Sequence, residues 1–177
     1  MKIKGAWIHT PIRHNDERGH FEEKFKLSQI ETGLGRSFSV KQVNQSESKR
    51  GVIRGVHHST NPDGQSKYVS CQSGAVWDVV IDLRADSPTF GEWDAVEISP
   101  TNGISVLISE GLGHAFLSLE ENSVVTYLCD FEYRAEFDLV INPFSSKLNI
   151  PFDLMAAKYG IPVLKLSDKD EKSKHFN

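Results

Sequence analysis

Four side chains that can carry charge or protons are crowded into residues 51–67. They are Arg54, His57, His58 and Lys67, and they lie in or beside a strand-like segment. An imidazole titrates near neutral pH and can accept a proton, whereas a guanidinium or an ammonium can hold an anion. This combination predicts proton abstraction beside a stabilised anion.

Strand geometry complicates the way these side chains would converge. Strict alternation puts Arg54 on the same face as His58 and on the opposite face from His57. Gly55 lies between them, and a bulge there would rotate the chain and bring Arg54 and His57 to one cavity. The residues alone leave either histidine open as the base.

Short antiparallel strands are predicted to position these residues. From about Val40 to Ile141, alternating runs are separated by Gly, Pro, Asn and Asp, as in a sandwich or barrel. Helices are minor, and the tail is predicted to be loop or frayed helix. We expect an all-β, double-sheet barrel whose interior holds a small ligand. Strands are predicted at residues 76–84, 93–98, 104–108, 115–119 and 124–133, short helices at 27–32 and 152–158, and the tail at 167–177.

The clearest strand pattern lies in residues 76–84, where apolar and charged side chains alternate. This alternation predicts a strand with one buried face. The buried face would carry Trp77, Val79, Ile81 and Leu83, and the opposite face Asp78, Asp82 and Arg84.

Length and composition are those of one soluble globular domain. The chain has 177 residues and a mass of 19.9 kDa, with 38% hydrophobic and 25% charged residues. The longest apolar stretches are far too short for a membrane span, and the N-terminal segment lacks the apolar core of a signal peptide. We therefore expect a single domain over residues 1–177 that resides in the cytoplasm and has no membrane partner.

Charge and cysteine usage narrow the function classes further. The formal net charge is -4 and the basic residues are scattered, so there is no broad basic field that would bind a nucleic-acid backbone. An anionic ligand would need a local basic pocket. Cys71 and Cys129 lack the spacing of a metal or redox motif, which predicts buried free thiols.

Taken in order along the chain, the motifs resemble the dTDP-4-dehydrorhamnose 3,5-epimerases of the cupin superfamily nearly from end to end. Each motif is weak by itself, but their order and separations make the resemblance specific. The residues that carry it are Asp16-Glu17-Arg18-Gly19, Phe21, Glu23, Gln42-Val43-Asn44, Gly51-Val52-Ile53-Arg54-Gly55-Val56-His57, Gln65-Ser66-Lys67, Asp78-Val79-Val80-Ile81-Asp82-Leu83-Arg84, Ser87-Pro88-Thr89-Phe90-Gly91, Gly111-Leu112-Gly113-His114-Ala115-Phe116, Tyr127-Leu128-Cys129 and Leu166-Ser167-Asp168-Lys169-Asp170.

The resemblance implies a cupin-type jelly roll and a homodimer that acts on a dTDP-4-keto-6-deoxy sugar without a metal or an organic cofactor. Ring carbons C3, C5 or both, beside the ketone, would be inverted in deoxysugar (rhamnose-type) biosynthesis. By this resemblance His57 is the general base and Asp170 orients its ring. Tyr127 would return a proton to the opposite face of the sugar. Lys67 would stabilise the enolate oxygen, assisted by His114.

The resemblance also assigns residues to the nucleotide and its diphosphate, some of them contributed across the dimer interface. Arg54 suits phosphate because a guanidinium offers a planar fork of donors. Such a local cluster would explain how a chain of net charge -4 binds a dianion. The assigned residues are Arg18, Phe21, Glu23, Gln42, Asn44, Arg54, His114, Tyr133, Asp138 and Lys169.

Three positions depart from the family pattern. His58 stands where an aromatic residue follows the base, Ala115 replaces a glycine, and Asp138 stands where a glutamate is expected. We follow the family in taking His57 as the base and keep His58 as the alternative. The departures leave open which ring carbons are inverted and which nucleotide is bound.

Three other functions are kept as alternatives. A mono-epimerase or a 3,4-ketoisomerase of a different deoxysugar pathway would share His57 and differ in the acid. A metal-dependent cupin oxygenase is disfavoured, because His57 and His58 are adjacent and would point to opposite faces of a strand, and no glutamate follows at the required spacing. A non-catalytic sugar-nucleotide-binding cupin would need the pocket but not the base and the acid.

Overall fold

Strands dominate the chain, as its alternating pattern predicts. The computed structural model describes residues 1–61 and 64–176. The helices are α1 (Leu27–Leu34), α2 (Phe152–Lys158) and α3 (Asp168–Glu171), and a 3-10 turn spans Ala135–Phe137. The strands are β1 (Ala6–His9), β2 (Arg13–Asp16), β3 (Gly19–Glu22), β4 (Gln42–Ser48), β5 (Ile53–Ser59), β6 (Lys67–Ser73), β7 (Val76–Asp82), β8 (Trp93–Ile98), β9 (Ser105–Ile108), β10 (Leu112–Ser118), β11 (Ser123–Cys129) and β12 (Asp138–Val140).

The strands form two five-stranded sheets and one two-stranded hairpin. The first sheet has the order β1-β9-β6-β11-β4 and the second the order β12-β5-β10-β7-β8, while β2 and β3 form the hairpin. Within the described residues, no ladder joins the two large sheets into a closed barrel. The predicted all-β, double-sheet architecture with few short helices is confirmed.

Aliphatic side chains fill the space between the two large sheets. Val69, Val106 and Val125 of the first sheet pack with Val80 and Ile98 of the second, and all five are fully buried. Burial of such side chains stabilises the folded state by about 1.5–3 kcal/mol each before entropy is subtracted. The sheets are thereby held as two facing layers.

Strand β7 is buried on both faces, so the prediction of one buried face is wrong. Val80 faces the core between the sheets, whereas Trp77 on the other face packs against the C-terminal segment. The Trp77 and Phe152 rings meet edge to face with centroids 5.5 Å apart. The Trp77 face is the one that alternation predicts to be buried, and the C-terminal segment is what covers it. Asp78 and Asp82 share the face of Val80, which was predicted to be solvated, and they are buried because that face packs against the first sheet.

The helices agree with the local sequence signals. α1 runs two residues further than predicted and is capped by Gly35, whose φ of 71° is left-handed. α2 has the predicted bounds, and α3 forms in the polar tail with the Ser167 hydroxyl accepting from the Asp170 N–H. In the described part of the chain, no helix is long and apolar enough to cross a membrane.

A bulge interrupts the pairing of β5 with β10, as the sequence predicts. His114 pairs with His57, but Phe116 pairs with Arg54, so β5 carries one extra residue in this stretch. Gly55 has a φ of 110°, and a Cβ there would lie only 2.4 Å from the carbonyl oxygen of His114. The bulge lets the side chains of Arg54 and His57 line one cavity.

Candidate active site

A cavity of about 240 Å³ lies between strands of the two large sheets. Strands β4, β6 and β11 of the first sheet line one wall, and β5 and β10 of the second sheet line the opposite wall. The predicted site residues that line it are Asn44, Arg54, His57, Lys67, His114, Tyr127, Tyr133 and Asp138. Lining residues that were not predicted are Gln45, Ser46, Gln65, Phe116 and Cys129.

His57 reaches the cavity from β5 and is held by Asp170 of α3. The His57 Nε2 lies 2.9 Å from Asp170 Oδ1, with the histidine side chain 40% exposed and the aspartate side chain 5% exposed. Burial disfavours the charged carboxylate, but the hydrogen bonds from His57, Ser167 and Gly55 outweigh it and lower the pKa of Asp170. An ionised Asp170 accepts the proton on Nε2 and leaves Nδ1 of the neutral ring as its basic nitrogen.

A second histidine–aspartate pair lies beside the first. His114 on β10 is the direct cross-strand partner of His57, and its Nε2 lies 2.6 Å from Asp78 Oδ2. Both residues are buried. Asp78 was missed as a site residue because the alternation of β7 assigned it to a solvated face. An acidic residue at the centre of a Val- and Trp-rich strand was the signal that could have found it.

Lys67 enters the cavity from the first residue of β6. It pairs with Cys129 on β11 and with Ile108 on β9, so its backbone lies inside the sheet. Burial lowers the pKa of Lys67, and the nearby Cys129 and Asp138 oppose this shift. Lys67 is the cation predicted for this cavity. Burial favours its neutral amine, whereas Cys129 and Asp138 favour its charged ammonium.

Tyr127 projects from β11 on the wall opposite His57. Its hydroxyl lies 3.3 Å from Ser46 Oγ on the neighbouring strand β4, and its ring centroid is 6.0 Å from that of His114. Burial raises the pKa of Tyr127, so its phenol keeps the proton throughout the neutral range. Ser46 went unpredicted, although its position on β4 orients this phenol.

Asp138 joins two predicted binding residues at the rim of the cavity. Lys169 Nζ lies 2.6 Å from Asp138 Oδ2, and Tyr133 donates its hydroxyl proton to the same oxygen at 3.4 Å. The hydrogen bond from Lys169 to Asp138 raises the pKa of Lys169. Gln42 does not line the cavity itself but accepts from the Tyr133 N–H at 2.7 Å and donates to Asn44 Oδ1 at 2.6 Å.

Arg54 lies between the cavity and a neighbouring groove of about 290 Å³. Its guanidinium donates to Ser48 Oγ at 3.0 Å and to the carbonyl oxygen of Glu47 at 2.9 Å. Lys165 and Lys169 line the same groove. Three cations beside His57 make this groove suitable for an anionic group.

Three predicted binding residues on the N-terminal hairpin do not line the cavity. Arg18 pairs with Asp16, Phe21 is 67% exposed, and Glu23 lies near Lys26. Arg13 anchors the hairpin through the carbonyl oxygens of Thr101 and Pro100, in the turn between β8 and β9. Within one chain, Arg18, Phe21 and Glu23 are therefore not brought together with His57 and Tyr127.

His58 faces away from the cavity, as alternation along β5 predicts. It lines a separate depression with Leu83, Arg84 and Glu110. Burial lowers the pKa of His58. In residues 1–61 and 64–176, no three His, Cys, Asp or Glu side chains converge in a way that could hold a metal ion.

Comparison with known proteins gives consistent matches. The family model described as dTDP-4-dehydrorhamnose 3,5-epimerase matches residues 1–177. A dTDP-4-dehydrorhamnose 3,5-epimerase of Mycolicibacterium smegmatis is 43% identical over 173 residues, which cover 98% of this chain and 82% of that relative.

Solved structures resemble the fold over nearly its whole length. NovW, a 4-keto-6-deoxy sugar epimerase from the novobiocin biosynthetic gene cluster of Streptomyces spheroides, superposes with a TM-score of 0.90 at 33% identity, covering 99% of this chain and 84% of NovW. ChmJ, a 3'-monoepimerase from Streptomyces bikiniensis solved in complex with dTDP-quinovose, has a TM-score of 0.88 at 37% identity, covering 99% of this chain and 85% of ChmJ. These likenesses confirm the predicted cupin-type fold.

Proposed function

We propose that this chain, which belongs to the dTDP-4-dehydrorhamnose 3,5-epimerase family, inverts C3, C5 or both beside the ketone of a dTDP-4-keto-6-deoxy sugar. Its enzyme class is isomerase, and its relatives act in deoxysugar biosynthesis. The observation that carries the proposal is that His57 and Tyr127 reach one cavity from opposite walls, with Lys67 beside them. A base and an acid on opposite sides of a ring are what inversion requires.

His57 is the general base in this proposal. Its free ring nitrogen takes the proton alpha to the ketone, and the imidazolium that forms is stabilised by Asp170 at 2.9 Å. A positioned base of this kind typically contributes a factor of about 10²–10⁴ in rate.

Lys67 and His114 stabilise the enolate oxygen. An ammonium, or a ring N–H fixed in place, acts strongly on a developing negative charge in a site shielded from water. The His114 Nε2–H is engaged by Asp78, so the ring is ordered before substrate binds, and in this proposal it acts on the enolate as an imidazolium through its Nδ1–H. Both groups then act on the charge that appears only during reaction.

Tyr127 returns the proton from the opposite wall. Because burial raises its pKa, the phenol is protonated at neutral pH and able to donate. Proton removal by His57 and return by Tyr127 invert the carbon, and no metal or organic cofactor takes part in this scheme.

The nucleotide is bound outside the sugar cavity in this proposal. Arg54 and Lys169 hold the diphosphate, while Tyr133, Asp138 and the Gln42–Asn44 pair contact the nucleoside at the rim. A homodimer would supply Arg18, Phe21 and Glu23 from the partner hairpin, which explains why they lie outside the cavity of their own chain. Residues 1–177 would act as a single cupin-like domain, and a cytoplasmic location remains a prediction.

A mono-epimerase is the second candidate, supported by the 0.88 TM-score to the 3'-monoepimerase ChmJ. A 3,4-ketoisomerase or a non-catalytic sugar-nucleotide-binding cupin would share the cavity. All of these differ from a 3,5-epimerase in where solvent protons enter the sugar.

The proposed function is tested with dTDP-4-keto-6-deoxyglucose in heavy water, followed by NMR. We expect deuterium at C3, C5 or both with inversion at each labelled carbon. Label at both carbons indicates a 3,5-epimerase, and label at C3 alone indicates a mono-epimerase. Transfer of the keto group would indicate a ketoisomerase, and absence of any label with retained dTDP-sugar binding would overturn the enzyme proposal.

The homodimer is tested separately by light scattering of the purified protein. A mass near twice 19.9 kDa is expected. Phe21→Ser should then weaken substrate binding without changing the exchange rate at saturating substrate. A monomer with full activity would contradict contributions from a partner.

A further inference from the structure

Three charged side chains from distant parts of the chain meet next to the cavity wall. Arg36 follows α1, Glu110 lies between β9 and β10, and Asp130 follows β11. Arg36 Nη2 lies 2.9 Å from Glu110 Oε2 and 2.8 Å from Asp130 Oδ2. We refer to Arg36, Glu110 and Asp130 as the Arg36 network.

Ser66 is the residue that the Arg36 network holds. It is fully buried, and its hydroxyl donates to Glu110 Oε2 at 2.8 Å and accepts from Arg36 Nη2 at 2.8 Å. Its N–H donates to Asp130 Oδ1 at 2.6 Å, and its carbonyl accepts from the Asp130 N–H at 3.2 Å. Every polar group of Ser66 is therefore engaged by this network.

Ser66 separates two residues that line the cavity. Gln65 and Lys67 face the ligand space, whereas Ser66 faces the network on the other side of the chain. The Gln65 side chain is also held, since its Nε2 donates to the carbonyl oxygen of Phe131 at 3.1 Å. The backbone that precedes Lys67 is thus fixed at Gln65 and Ser66, immediately before β6 begins.

Arg36 and Glu110 keep their charges over the neutral range. The hydrogen bond from Arg36 lowers the pKa of Glu110 to about 2. The hydrogen bond to Glu110 raises the pKa of Arg36. The hydrogen bonds from Arg36 and to Glu110 therefore hold the Ser66 hydroxyl throughout this pH range.

We propose that the Arg36 network is a positioning device for Lys67, which fixes Ser66 so that the neighbouring ammonium is held against the enolate oxygen. The catalytic half of this inference rests on the proposed function, but the placement of Lys67 is a property of the protein alone. Misplacement of a reacting group by about 1 Å can cost about a hundredfold in rate. Residues that touch no substrate can therefore control the rate through Lys67.

A double-mutant cycle tests this coupling in the heavy-water exchange assay. Arg36→Gln alone should lower the exchange rate at saturating substrate by about ten- to a hundredfold, with KM changed little. In the Lys67→Ala background, Arg36→Gln should cause no further loss. Losses that multiply would show independent effects and overturn the inference.

Two further variants separate positioning from general destabilisation. Arg36→Lys keeps a cation beside Glu110 and should recover part of the rate. Ser66→Ala deletes only the clamped hydroxyl and should give a smaller loss in the same direction, including where Arg36→Gln yields little folded protein. Arg50→Gln is the matched control, because Arg50 also joins distant segments, through the carbonyl oxygens of Leu119 and Gly160, but lines no part of the cavity. It should leave the exchange rate within about twofold of the unmodified protein.

A measurement without substrate decides the case if the keto sugar is not turned over. The protein is labelled with ¹³C at lysine Cε, and the Lys67 signal is identified by its loss in Lys67→Ala. Arg36→Gln should broaden this signal and move its titration midpoint, whereas Arg50→Gln should not. An unchanged Lys67 signal and midpoint in Arg36→Gln would overturn the inference whatever the activity. Absence of turnover in the unmodified protein would instead count against the proposed function.

Discussion

Two histidine–aspartate pairs face the same cavity but differ in their access to solvent. His57 and His114 are direct cross-strand partners, and each donates toward a buried carboxylate, at 2.9 Å to Asp170 and at 2.6 Å to Asp78. The His57 side chain is 40% exposed, whereas that of His114 is 6% exposed. The His57–Asp170 pair is thus accessible to solvent through its histidine, whereas the His114–Asp78 pair is buried.

This difference teaches which pair can exchange protons. A base must charge and discharge during turnover, and a ring with solvent access does so with a smaller desolvation penalty than a buried ring. His114, whose ring is fixed by Asp78 and shielded from water, is better suited to stabilising a developing charge from a fixed position than to exchanging protons. The bulge at Gly55 contributes to this division, since it brings His57 into the cavity beside Arg54.

Replacing His57 should give the largest effect and tests most strongly whether the two histidines have different roles. His57→Asn should lower the exchange rate by about 10²–10⁴-fold, because the proposed general base is lost while the proposed nucleotide contacts remain. His58→Asn is the matched control on the adjacent, opposite-facing position and should change the rate by less than about twofold. Steady-state kinetics with a dTDP-binding measurement checks both. A larger loss in His58→Asn than in His57→Asn would show that His58 is the base.

The two aspartates should separate rate from stability. Asp170→Asn should lower the rate by about a hundredfold, because an amide cannot stabilise the imidazolium. Asp78→Asn should act mainly on folding and cost about 1–3 kcal/mol, because a mismatched polar group is left buried. Kinetics and urea unfolding of each variant give both quantities. Equal effects on rate and on stability in the two variants would remove the distinction between the pairs.

An alkaline loss of activity should come from Lys67 rather than from Tyr127. Burial lowers the pKa of Lys67 from its ordinary 10.5, so the rate should fall as pH rises and the ammonium deprotonates below that value. Tyr127 keeps its proton to higher pH because burial raises its pKa. The rate should be measured from neutral to alkaline pH. The alkaline fall in rate should be absent in Lys67→Arg, since a guanidinium stays charged. If the alkaline fall in rate persists in Lys67→Arg, it comes from the titration of another group.

The smallest predicted effect is on acid stability. The pKa of Asp170 is lowered in the folded protein, so its stabilising contribution is complete above the ordinary carboxyl pKa of about 4. That contribution is lost as pH falls through the lowered folded value, because the unfolded chain then binds more protons. Melting temperature should therefore fall less steeply with decreasing acid pH in Asp170→Asn than in the unmodified protein. Identical slopes would show that Asp170 is not held as a carboxylate by His57.

Local pattern was sufficient for elements whose boundaries are encoded nearby. β8 at Trp93–Ile98 and α2 at Phe152–Lys158 have the predicted bounds, because alternation and the flanking Pro and Gly residues are local signals. β7 was misjudged because the face that carries Asp78 and Asp82 packs against the first sheet, a contact between distant parts of the chain that no local pattern reveals.

The part of the site that could be predicted consists of strand residues whose roles the family resemblance implied. His57, Lys67 and Tyr127 line the cavity, whereas Asp78 and Ser46 were missed because their partners lie on strands distant in sequence. The bulge at Gly55 was predicted from the sequence, whereas β10 was identified as the strand against which it forms only by the fold. The hairpin residues assigned to the nucleotide remain predictions that depend on a second copy of the chain.

The central claim, that His57 and Tyr127 work from opposite walls, is tested most directly with Tyr127→Phe in heavy water. His57 should still remove the proton and return deuterium to the face from which it came, so the sugar should gain label with retention of configuration. His57→Asn in the same assay should gain label about 10²–10⁴-fold more slowly than the unmodified protein. Inversion by Tyr127→Phe at the rate of the unmodified protein would contradict the account.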